Sequence, residues 1–146
     1  MNWRKEAENE LKDYGRYHES LKHYSDMLKD IDNDITSIGA VKLDVAPNGG
    51  SSTHSREDWF INKLEKKNEI DTKITLVKKR MELIERALQT MSRDEKRILQ
   101  LFFVERPKNY IDRLCDELGY EQSNLYYHKD IALRKFTLAI FGVIDT

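Results

Sequence analysis

Cysteine, proline and glycine are scarce in this 146-residue chain, at one, two and six. The single cysteine, Cys115, excludes an intrachain disulfide and leaves no thiol pair for a structural zinc site. That usage suits a reducing compartment, so a cytoplasmic protein is expected. There is no run of about 18 apolar residues to span a membrane, and Met1 leads into charged helix rather than a signal peptide. A basic tail is also missing. Residues 1–38 hold six Lys/Arg against nine Asp/Glu, residues 39–55 one of each, residues 56–91 nine against seven, and residues 92–146 nine of each. No segment would hold nucleic acid by charge alone. Nucleotide-binding glycine patterns, nucleophile elbows and clustered His/Asp/Glu are absent as well, so neither enzymatic activity nor a cofactor is expected.

With 39% apolar and 35% charged residues and few helix breakers, the composition is that of long amphipathic helices. An all-α protein is expected. Trp3, Ala7, Tyr14, Leu21, Tyr24, Leu28, Ile31, Ile35 and Ile38 recur at steps of three, four or seven, and Gly39 offers a stop. The narrow apolar seam is a coiled-coil signal. Val41, Leu43 and Val45 alternate like a short extended piece, and Ala46 to Thr53 has turn chemistry, giving a linker over 39–55. Helix resumes at Ser55 as N-cap, with a second seam of Phe60, Leu64, Ile70, Ile74, Val77, Met81, Ile84, Leu88 and Met91. The two long helices either fold back as an antiparallel hairpin or pair with copies of themselves in a dimer; both bury the same seams. This region is taken as residues 1–91.

Residues 92–146 read differently. Ser92-Arg93-Asp94-Glu95 is a capping box that opens a new helix carrying Ile98, Leu99, Phe102 and Phe103, which stops before Pro107. A second helix carries Ile111, Leu114, Cys115 and Leu118 and ends at Gly119, a left-handed C′ residue. A third carries Leu125, Ala132, Phe136 and Ile140 on its inner face. Short helices with a glycine turn between the second and third form a helix-turn-helix pattern. Cys115, on the inner side of its helix, is expected to be a buried, inert thiol. His18 and His23, five residues apart, do not share a helix face, and no metal is expected there.

The run Ile111 to Phe136 resembles the region-4 helix-turn-helix of bacterial sigma factors. Its Ala132-Leu133-Arg134-Lys135-Phe136 ending and the capped start at Ser92 carry the resemblance. The overall layout is similar to the ArpU/RinA-type phage late-gene transcriptional regulators, with Phe141-Gly142 matching their terminal hydrophobic-Gly. The recognition helix departs by carrying tyrosines and a histidine where sigma-like modules often carry arginine or lysine.

The resemblance implies a phage-type regulator, an activator of late genes in the bacterial host cytosol, that binds double-stranded DNA and contacts RNA polymerase. With Leu125 as the buried anchor, Gln122, Ser123, Asn124, Tyr126, Tyr127 and Lys129 lie on or beside the open face. Gln122 and Asn124 suit bidentate pairing with adenine, and the tyrosines suit phosphates or thymine methyls, unless they are packing residues. Arg113, Lys129 and Arg134 would be phosphate contacts, and His128 either touches a phosphate or is half-buried. The run Lys78-Lys79-Arg80 is a solvated face or a contact with DNA or polymerase. A weakly charged reading head calls for two heads on one DNA, so a homodimer through the long helices is expected. The other expectation is an adaptor of the same fold that docks on polymerase or another regulator without touching DNA.

Overall fold

The computed structural model describes residues 1–44 and 51–144, and side chains outside 38–54. Every described element is helical: α1 (Trp3–Asp44), α2 (Ser51–Gln89), α3 (Arg93–Leu99), a π-helical segment (Gln100–Glu105), α4 (Tyr110–Leu118) and α5 (Gln122–Phe141). No described helix is long and apolar enough to cross a membrane.

Three expectations near the linker are corrected. Gly39 does not stop α1, which continues to Asp44, so Val41 and Leu43 are helical rather than extended. A glycine inside a helix costs only about 1 kcal/mol relative to alanine, and the Ala40–Leu43 run that follows contains no breaker. Ser55 is not an N-cap, because α2 begins at Ser51. Of the expected linker, residues 45–50 lie outside the described residues.

The chain divides into two compact units: Met1–His18 with Lys79–Thr146, and Glu19–Lys78. The second is made of segments of α1 and α2. Lys63 reaches Asp34 at 3.0 Å and Lys67 reaches Asp32 at 2.9 Å. Rising numbers on one helix meet falling numbers on the other, so the segments run antiparallel. Ile31 and Ile70 are buried there, with Leu21, Tyr24, Leu28, Ile35, Ile74 and Val77 half-buried around them. Leu64 departs from the expected seam and is 42% exposed. It precedes Ile70 by six residues, which turns it about a third of a circle away from the buried line.

The larger unit has two apolar clusters. One joins Ala7 and Leu11 of α1, Ile84 and Ala87 of α2, Met91, Leu99 of α3, and Ala132, Leu133 and Phe136 of α5. The other joins Ile98, Leu101, Phe102, Leu114 and Leu125. The first turns of α1 therefore serve more than helix pairing: Trp3 packs on Phe141 at 5.0 Å. Gly15 lies against the π-helical segment, and a Cβ added there would sit 3.0 Å from the Val104 carbonyl oxygen. Tyr14 donates to Glu85 at 3.0 Å; its hydroxyl is pushed up to about 12 by burial, then by that hydrogen bond and the carboxylate charge. Arg80 pairs with Glu10.

α2 ends at Gln89, and the capping box then restarts the helix with both of its bonds made: Glu95 N–H donates to Ser92 Oγ at 3.2 Å, and Ser92 N–H donates to Glu95 Oε1 at 3.3 Å. Lys135 of α5 lies 3.0 Å from the other oxygen of Glu95. Burial would raise the Glu95 carboxyl, but Lys135 and Ser92 hold it below the ordinary value of 4.5. The helix opened at Ser92 ends at Glu105, before Pro107 as expected, with Arg106 at a left-handed φ of 43°, but after Leu99 it widens to π geometry. The wider turn sends Leu101 and Phe102 into the second cluster while Leu99 stays in the first.

Candidate functional site

The candidate site is built on α4, the turn 119–121 and the first half of α5. α4 ends at Gly119, whose φ of 74° is the left-handed conformation expected of a C′ glycine, and its N–H donates to the Cys115 carbonyl at 2.9 Å. Three residues later α5 begins at Gln122, with Glu121 in extended conformation as N-cap. Leu125 and Leu114 are fully buried beside Ile98 and Leu101, which clamps α5 onto α3 and α4. Arg97 adds a two-pronged bond to Glu117, 2.9 Å on each arm. Those bonds hold the Glu117 carboxyl below its ordinary range against desolvation, with help from the Arg97 charge and then from that of Arg113.

Burial of Leu125 turns its neighbours outward. Gln122, Ser123 and Asn124 are exposed in the first turn of α5, and Tyr127 is 63% exposed. Tyr126 is nearer the surface than the core, but its ring meets Phe102 edge-on at 5.9 Å. Lys129 is the most engaged of the expected cations. It pairs with Asp130 at 2.8 Å and lies 5.9 Å from both the Phe102 and Tyr126 rings. Arg113 and Arg134 are exposed, on α4 and α5 respectively. His128 is half-buried and stacks on Tyr120 at 4.4 Å, with the planes 11° apart. Cys115 is half-buried at the edge of the second cluster rather than fully buried.

Two contributors escaped sequence reasoning. Tyr120 serves as the platform under His128; a Gly-Tyr turn eight residues before a histidine was the available signal. Phe102 carries Tyr110 at 5.1 Å on one edge and Tyr126 on another, through pairings between helices that no local spacing encodes. Beside α5, Arg4, Lys5 and Glu8 of α1 line a cleft of about 450 Å³ with Lys129 and Asp130. Among the described residues no group of three or more His, Cys, Asp or Glu side chains is placed to hold a metal ion. What the surface offers is amide, hydroxyl and phenol chemistry, with cations at its margins.

The family described as protein of unknown function DUF1492 matches residues 36–137, and the chain belongs to that family. No curated protein and no solved structure matches it.

Proposed function

We propose that this DUF1492 protein is a phage-type transcriptional regulator, an activator of late genes, that binds double-stranded DNA through a sigma-like helix-turn-helix formed by α4 and α5. The observation that carries this reading is the first turn of α5. Gln122, Ser123 and Asn124 are exposed together on a helix whose position is held by fully buried Leu125. Recognition helices use such N-terminal residues for base edges, and Gln and Asn match the donor-acceptor pair of adenine in the major groove. Tyr127 and the exposed Arg113 and Arg134 supply backbone contacts. So few cations give a shallow salt dependence, and two copies joined through the long helices would place two heads on a repeated site. In this reading the protein has no catalytic role and needs no cofactor.

Selection of bound duplexes from a random library tests it. The expected result is a repeated motif, with Gln122→Ala and Asn124→Ala each relaxing one base position by about 1–3 kcal/mol of discrimination. Absence of salt-sensitive binding near 50 mM salt, or a motif unchanged by both substitutions, overturns the reading.

A second reading is an adaptor that docks on RNA polymerase or another regulator without DNA. It is favoured by one observation: Arg97, Lys129 and Lys135 are each held by a carboxylate of the same unit. Polymerase capture that survives while duplex binding is absent would select it.

A further inference from the structure

We propose that Tyr120 and His128 form a clasp that holds the first turn of α5, which makes both of them positioning residues for Gln122 and Asn124. The positioning role rests on the DNA reading above; the clasp itself rests on the geometry of the turn.

α5 starts without the fastenings that α3 has. At α3 the capping box ties the helix start in both directions, Glu95 N–H to Ser92 and Ser92 N–H to Glu95. At α5 the N-cap is Glu121, which makes no side-chain cap bond, and the first turn carries no acidic residue to meet the positive end of the helix dipole. An uncapped helix start frays, and here the turn that would fray carries Gln122, Ser123 and Asn124. Bidentate recognition of a base by an amide needs the opposite, a backbone held to within about half an ångström.

Aromatic contacts stand in for the missing cap. Tyr120 directly precedes the N-cap and packs against the cluster that contains Leu125, the fourth residue of α5. That is the arrangement of a hydrophobic staple, which fixes the angle at which the chain enters its helix. The Tyr120 ring also stacks on His128, with centroids 4.4 Å apart and planes 11° apart. His128 follows Leu125 by three residues, nearly one turn, so the stack ties the turn to a stretch of α5 already anchored by burial. On its other side His128 meets Tyr127 edge-on at 5.6 Å, and Tyr127 is 63% exposed. One imidazole therefore braces both the entry to the helix and the tyrosine beside its first turn.

The stack lies at the margin of the exposed face. Tyr120 and His128 are half-buried, whereas Gln122, Ser123, Asn124 and Tyr127 are exposed. The clasp uses only the flat face of the imidazole, so a phenyl ring in its place keeps the stack. A phosphate contact by His128 would instead need a ring nitrogen, which phenylalanine lacks. His128→Phe thus separates holding the turn from touching the DNA.

Hydrogen exchange and duplex selection on the full chain, with His128→Ala, Tyr120→Ala and His128→Phe, test the proposal. The reporter is the Leu125 amide, whose 2.9 Å bond to the Glu121 carbonyl closes the first turn. In the free protein each alanine variant should speed its exchange about two- to tenfold and leave the amides of α3 unchanged. The selected motif should blur at the positions that Gln122→Ala and Asn124→Ala relax, and His128→Phe should restore both exchange and motif. Unchanged Leu125 exchange in His128→Ala, or equal acceleration in α3, overturns the clasp. Exchange restored by His128→Phe without recovery of the motif overturns the positioning role and makes His128 a DNA contact. The expected exchange pattern in a chain that binds no duplex supports the clasp and overturns the DNA reading.

Discussion

Residues 1–18 and 79–146 draw side chains from five helices and the π-helical segment into two clusters, whereas residues 19–78 have only two helical segments to draw on. Among the described residues, Ile31 and Ile70 are the buried apolar side chains of the two-helix unit, and all the other buried apolar side chains belong to the larger one. The contrast follows from geometry rather than composition. A pair of helices shares one seam, and an apolar residue a third of a turn off it, such as Leu64, has no wall to meet. Several helices crossing at different angles enclose a volume, and Leu99, Leu101, Leu114, Leu125 and Phe136 are shut from solvent within it. One unit encloses its apolar side chains among several helices, and the other along a single seam.

Core truncation should break the contrast most visibly. Phe136→Ala, which empties a fully buried site in the first cluster, should cost about 3–5 kcal/mol in denaturant unfolding. Ile70→Ala should cost about 2 kcal/mol, because a single seam relaxes into the gap, and hydrogen exchange should rise in 19–78 while the larger unit stays protected. Equal losses, or a common exchange response, would mean that the two units do not differ in this way.

Gly15 sharpens the same point within α1. Gly15→Leu would press into the Val104 carbonyl and should cost about 1–3 kcal/mol, despite leucine being the better helix former. A neutral or stabilising result would show that the approach to the π-helical segment is not needed.

The capping box comes next. Ser92→Ala should cost about 1 kcal/mol by thermal melting. The Glu95 carboxyl is held below its ordinary value in the folded protein, so its contribution is complete above 4.5 and is lost as pH falls through the folded value. In Lys135→Met that acid-side loss should shrink; an unchanged acid limb would remove Lys135 from the account.

Tyr14 gives the smallest effect at neutral pH, about 0.5–1 kcal/mol for Tyr14→Phe. Its value is raised, so the stability it adds is complete below 10, the ordinary value, and is lost as pH rises towards about 12. Absorbance titration should show a late-ionising tyrosine, and Tyr14→Phe should remove it.

Much of the fold can be read from local pattern. The capping box at Ser92, the left-handed Gly119 and the end of α2 just before Met91 are short-range features, set by residues within one turn of each other. The exposure of Gln122, Ser123, Asn124 and Tyr127 follows from a single buried anchor, Leu125. The contact of Lys129 with Phe102, the stacking of His128 on Tyr120 and the role of Phe102 as a platform were not readable. Each joins residues that are brought together only when α4 and α5 close over the π-helical segment, or at the turn between them.

What the residues determined by themselves is the helical character of the described chain, since three-four apolar spacing and few breakers outweigh the one alternating stretch at Val41 to Val45, and the helix start at Ser92 and stop at Gly119. The tertiary structure alone decided that Trp3 and Ala7 pack with α5 as well as along the helix pair, and that the helix after Leu99 widens. A periodic apolar line states that a face will be buried, but not against what. That depends on which neighbouring surface fits, and only the packed chain supplies it.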